Sequence, residues 1–118
     1  MSSGSSRANK FYEEVSESKI LWFAKTGDGD ALEFDVDGGK VSFPLWSSKS
    51  RVMRLKKLNP DLLGEYSPRE ISWLFFKDVL APILTEKKRM VGVNLSSQNL
   101  TGIDLSVESL INQVEAFA

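Results

Sequence analysis

The chain has no cysteine and no histidine. Without cysteine it forms no disulfide, offers no thiolate nucleophile and builds no zinc–sulfur site. Without histidine it has no imidazole base, no Ser-His-Asp triad and no histidine pair for a metal. Catalysis would fall to carboxylates, lysine, tyrosine or a bound cofactor, and no catalytic, cofactor-binding or metal-binding set can be assigned from the residues. A membrane span needs about 20 apolar residues in succession, and no run here approaches that: Ile71 to Phe76 is interrupted by Ser72 and followed by Lys77 and Asp78. The opening MSSGSS lacks the basic start and apolar stretch of a secretory signal, so the cytoplasm is the default location. A basic excess is also missing. Fifteen Lys and Arg against sixteen Asp and Glu leave a net charge of −1, which argues against whole-domain attraction to nucleic acid.

What remains is the balance of an ordinary folded domain. With 118 residues, 42% hydrophobic and 26% charged, the chain is long enough to close one core unaided. Residues 1–7 read as a flexible lead and 8–118 as a single domain. Ala8, Phe11, Tyr12 and Val15 make one stripe of a helix. Ile20 to Ala24 is a short aromatic-rich strand ending at the turn Gly27-Asp28-Gly29-Asp30. Leu32, Phe34 and Val36 alternate with acids, Asp37-Gly38-Gly39 reverses the chain, and Val41, Phe43 and Leu45 alternate beyond it. Residues 19–46 therefore predict a three-stranded antiparallel meander. A helix follows, capped at Ser47 or Ser48, turning Val52 and Leu55 inward and stopped by Asn59-Pro60.

In SPREISWLFFKDVL, Ser67, Pro68 and Glu70 fit a capping box with proline at the first helical position. Ile71, Leu74, Phe75 and Val79 form one stripe, widened by Trp73, Phe76, Leu80 and Ile83, which predicts a central, deeply buried helix ending or kinking at Pro82. Met90 to Leu95 predicts a buried strand. A polar link from Ser96 to Asn99 leads to a strand over Thr101 to Leu105. A last helix starts near Ser106 with Val107, Leu110, Ile111, Val114 and Phe117 on one side. The order is α-β-β-β-α-α-β-β-α. The expected class is α+β, a mainly antiparallel sheet of four to five strands with about four helices packed on it.

Three stretches together resemble the bacterial family catalogued as domain of unknown function 2750: VSFPLW at 41–46, ISWLFFKDVLAPIL at 71–84 and GIDLSVESL at 102–110. The resemblance covers roughly residues 8–118. It implies a compact bacterial domain and brings no activity, cofactor or catalytic residue with it. At one place the chain departs from the pattern: where the family tends to carry acids after the Ile-Ser of the long helix, this chain has Leu74 and Phe75.

Few residues invite a functional reading. Lys49, Arg51, Arg54, Lys56 and Lys57 are either the solvated face of a core-packed helix, the favoured reading, or a patch for an acidic protein or polyanion. Trp46 either closes the sheet end against that helix, again favoured, or is an exposed hot spot beside Pro44. Trp22 and Trp73 read as core. The acidic run Asp28, Asp30, Glu33, Asp35, Asp37 fails the calcium-loop pattern. Glu13 and Glu14, as neighbours on a helix, point apart. Trp46, Lys49, Arg51, Arg54 and Lys57 are thus the candidate interaction surface. The leading function is a non-catalytic protein-interaction or regulatory module with an unknown protein partner, acting as a monomer or homodimer and without a membrane. The alternatives are polyanion or nucleic-acid binding through residues 49–57, and a small-ligand binder or carboxylate- or lysine-based enzyme.

Overall fold

Two glycines turn the first hairpin. Gly38 and Gly39 both take positive φ, 81° and 73°, which costs a residue without a Cβ nothing. They bring β2 (Phe34–Val36) back along β3 (Lys40–Leu45) with Val36 opposite Lys40. β5 (Met90–Ser96) lies parallel to the far side of β3, and β6 (Thr101–Ser106) runs antiparallel to β5, giving the order β2-β3-β5-β6. The central place of β5 accounts for its apolar run, interrupted at Asn94 alone, since residues 91–95 are buried on both faces. The computed structural model describes residues 3–96 and 101–117; most of the polar link expected after Ser96 lies outside them.

The chain is α+β, with six strands and five helices among the described residues. α1 (Ser3–Ser18) precedes β1 (Ile20–Lys25), α2 (Lys49–Leu58) and the short α3 (Pro60–Leu63) follow β3, and α5 (Val107–Ala116) follows β6. α1 takes in residues 3–7, which the sequence alone sets apart as a lead. Ser48 caps α2, accepting from Arg51 N at 3.3 Å, and Ser106 caps α5, accepting from Ser109 N at 3.1 Å.

Two sequence expectations are corrected here. The stretch Ser67–Ser72 is a strand, β4, not the start of a helix, and β1 pairs with it rather than completing a meander with β2. β1 and β4 form their own two-stranded sheet, joined to the larger one by the Trp22–Trp46 bridge. The backbone of Trp22 bonds Trp46 in both directions and Ala24 O accepts from Leu32 N. Their partners across β4, Glu70 and Pro68, therefore sit at non-hydrogen-bonded positions. Pro68 costs the ladder nothing there, and its missing N–H falls on the outer edge of the sheet.

The second correction concerns the long helix. α4 spans 73–86, starting at Trp73 with Ser72 as its cap, accepting from Phe75 N at 3.0 Å. It runs through Pro82 to Glu86 by way of a π turn, Phe76–Leu80, in which Ala81 N bonds Phe76 O. Pro82 has no N–H to return to the carbonyl of residue 78, so the ladder is already broken at this place. The wider turn delays the helix phase by one residue. Trp73, Phe76, Ala81 and Leu84 consequently face the core, with Trp73 stacked on Phe76 at 5.4 Å between ring centres. Leu74, Phe75, Val79 and Ile83 face outward.

The apolar side chains form two cores. α1, α4 and α5 cover one, with Phe11, Val15, Phe76, Leu110 and Val114 against Phe43, Leu45, Val91 and Val93 of the sheet. The second holds Ala24, Leu32, Trp46, Val52, Leu55, Leu63 and Leu95. Leu95 should share a face with Val91 and Val93 by strict alternation. It does not, because β5 carries an irregularity between Val93 and Ser96 and Asn94 has φ +48°. That bulge turns Leu95 into the second core.

Candidate functional site

The end of β3 and the start of α2 hold the residues that the sequence singles out, and the structure separates them. Trp46 is 1% exposed. Its ring packs among Val52, Leu55 and Leu95, and its indole N–H donates to Leu95 O at 2.9 Å. It is the plug between sheet and helix and takes no part in a surface, which removes it from the candidate patch: a chain leaving the sheet end must cover that end, and indole is the largest apolar group available. Lys49, Arg54 and Lys57 are exposed, and Arg51 is half-buried.

Next to Trp46 lies an arrangement that the sequence does not announce. Ser47 N donates to Asn94 Oδ1 at 2.9 Å, and Asn94 Nδ2 donates to Ser47 Oγ at 3.1 Å and to Arg7 O at 3.4 Å. Ser47 Oγ in turn donates to Glu14 Oε1 at 2.5 Å. The Arg51 guanidinium lies 3.4 Å from the same carboxylate oxygen. α1 thus supplies Glu14, the β3–α2 junction Ser47, α2 Arg51 and the bulge of β5 Asn94. Asn94 and Ser47 are both buried, and the polar side-chain atoms of both have partners, as burial demands, whereas the buried Nε of Arg7 has none. Above them opens a cleft of ≈ 610 Å³ lined by polar residues: Glu14, Glu17, Ser47, Ser48, Arg51 and Arg54 with two further serines. Glu17 and Arg54 balance in charge, as Glu14 and Arg51 do.

Farther round α2, sharing Arg54 with the cleft, is an apolar groove, also ≈ 610 Å³, lined by Met53, Pro60 and Gly64 with Arg54, Lys56 and Lys57 around it. A third feature is the outward row of α4. Leu74 is 67% exposed, Phe75 48%, Val79 42% and Ile83 44%. The reading that placed these four in the core is overturned: Leu74 and Phe75 lie across the first turn from buried Trp73 and Phe76, and the π turn carries Val79 and Ile83 round to the same outer side.

Among the described residues, no three Asp or Glu side chains come together as a metal-holding group, and no helix is long and apolar enough to cross a membrane. Of the titratable groups, Tyr12 is shifted: burial holds its phenol above the usual 10.0.

The fold is that of a small α+β protein built on a four-stranded and a two-stranded sheet. The chain belongs to the family described as Protein of unknown function (DUF2750), whose model matches residues 8–114. No curated protein matches the chain.

Proposed function

We propose that this protein is a non-catalytic interaction module that meets a protein partner through the outward row of α4. The carrying observation is the exposure of Leu74, Phe75, Val79 and Ile83 along one helix. An aromatic side chain buries roughly 150–250 Å² when fully covered and an aliphatic one somewhat less, so these fractions leave roughly 300–400 Å² of apolar surface on one side of the helix, a size that on monomers often marks function. Asp78 and Glu86 border the row and are exposed, so the complementary surface is an apolar ridge flanked by Lys or Arg. A second copy meeting the row about a two-fold axis would bring Asp78 close to its own counterpart, which favours a different protein over self-association.

The chemistry at Ser47 supports a non-catalytic reading. Its hydroxyl has a carboxylate to donate to, but Ser47 is 7% exposed and the carboxylate is tied to Arg51. Affinity capture from the native host, with wild type and Phe75→Asp/Val79→Asp in parallel, tests the proposal. Proteins held by wild type and lost by the double variant, at unchanged thermal stability, are the expected result. Identical captures from the two forms would overturn it.

A second reading, a small-ligand binder, has its own observation in the polar cleft over Ser47. Titration calorimetry against zwitterionic amino acids, which match its paired Glu and Arg charges, checks it; no heat with wild type, or heat unchanged in Arg54→Ala, argues against it.

A further inference from the structure

The groove between α2 and α3 has a chemistry unlike the rest of the surface. Its floor is Met53, Pro60 and Gly64, and three cations stand around it: Arg54, Lys56 and Lys57. The lining contains no carboxylate. The methylene stems of Arg and Lys add apolar wall while their charged heads reach water. A side chain at residue 64 would have its Cβ 2.5 Å from Pro60 O, so the turn from α3 closes tightly there and nothing fills the floor from within. Met53 is exposed and unbranched, a side chain that adapts to different apolar contacts.

Charge on α2 is unbalanced at this end. The helix carries Lys49, Arg51, Arg54, Lys56 and Lys57 and no acid. Among the described residues, Arg51 alone of the five has an ion-pair partner, Glu14, in the polar cleft that meets the groove at Arg54. Lys56 and Lys57, which line the groove and not the cleft, are therefore left for an external anion, with Arg54 shared between the two, and the floor is left for an external apolar group.

We propose that this groove docks an acidic protein segment carrying an apolar anchor: carboxylates meet Arg54, Lys56 and Lys57 while a Leu- or Phe-sized side chain lies on Met53 and Pro60. Nucleic acid shares the negative charge, but the groove offers no aromatic ring for base stacking and its apolar floor gives a phosphate backbone nothing to bury. The inference is independent of the α4 surface, which lies on another helix.

Fluorescence anisotropy with the full chain and a labelled peptide, Glu-Glu-Leu-Asp-Glu-Leu-Phe-Glu-Glu, tests it. Three further probes complete the experiment: the same peptide with Leu and Phe replaced by Ser, the same with acids replaced by Lys, and a single-stranded oligonucleotide. The anchored acidic peptide is expected to bind at low salt, with each of the other three weaker by about tenfold or more. Lys56→Glu with Lys57→Glu, and separately Met53→Asp, should remove binding. Reversal of the distant Lys40 and Lys87 should not, and Phe75→Asp should leave it unchanged. Backbone amide shifts at Met53, Lys57 and Gly64 on titration locate the site. Equal binding of the Ser-substituted peptide reduces the groove to general charge attraction and overturns the proposal. Tighter binding of the oligonucleotide overturns it in favour of a polyanion site, and no binding up to about 1 mM overturns it outright.

Discussion

The indole N–H of Trp46 donates to the carbonyl oxygen of Leu95 at 2.9 Å, tying the end of β3 to the bulged end of the parallel strand β5. Leu95 reaches that position because Asn94 turns it there. Trp46→Phe keeps most of the ring and loses the donor, leaving a buried carbonyl unpaired at a cost of about 1–3 kcal/mol. Trp46→Ala adds a cavity and should cost about 3–5 kcal/mol. Urea unfolding followed by the remaining tryptophans separates the two, and a Phe variant as stable as wild type would show that the bond carries no weight.

Asn94 combines a left-handed backbone with three hydrogen bonds. Asn94→Ala keeps the Cβ but loses the amide that lets asparagine hold the left-handed conformation, and leaves the Ser47 N–H buried and unpaired. The expected loss is about 3 kcal/mol, from roughly 1–2 for the conformation and a similar amount for the bond. Asn94→Gly loses the same amide but not the conformational ease, so it should be about 1 kcal/mol less harmful. Chemical denaturation midpoints of both variants give the order directly. An Ala variant at least as stable as the Gly variant would contradict the bulge.

Exposure along α4 gives a sharp contrast. Val79→Ser and Phe75→Ser replace outward side chains and should alter stability by about 0.5 kcal/mol or less. Phe76→Ala, one position on from Phe75 and fully buried, should cost about 3–5 kcal/mol. A regular 3.6-residue period gives Val79 a core role, so a large loss at Val79 would deny the π turn.

Tyr12 bears on alkaline stability. Its phenol sits between Phe11 and Phe117, with ring centres at 6.2 and 6.4 Å, and burial raises its pKa above 10.0. The folded chain then holds the phenolic proton more tightly than the unfolded chain. That contribution is full below pH 10 and declines as pH rises through the folded-state value. Compared with Tyr12→Phe, wild type should lose stability more steeply above about pH 10. Parallel pH-dependent thermal melts should diverge only in that range.

Much of this was readable from local pattern. The β2–β3 hairpin, the buried β5 run, Ser48 as a cap, the stop at Asn59-Pro60 and the stripe of α5 follow from periods and turn residues that act within a few positions. β4 did not, because Ser67, Pro68 and Glu70 satisfy a capping box and an exposed strand equally well; the decision belongs to β1, some forty-five residues away. On α4 the period itself misled, since a 3.6-residue wheel knows nothing of a π turn. Burial of Trp46 was the favoured expectation and holds. The Glu14–Ser47–Asn94 network had one faint signal, an asparagine inside the apolar run MVGVNL. Its partners lie 47 and 80 or more residues apart from it along the chain, beyond any local pattern.

The π turn also makes the core indifferent to chain length at one point. Trp73, Phe76, Ala81 and Leu84 step inward at intervals of three, five and three residues. Deleting one residue between Phe76 and Ala81 brings the four inward side chains to intervals of three, four and three, the spacing of a regular helix, with Pro82 left as the break in its ladder. Only the outer surface changes, losing one position and rotating the rest. At that turn the chain can lose a residue, and so redraw its outer surface, with the same four side chains still directed inward.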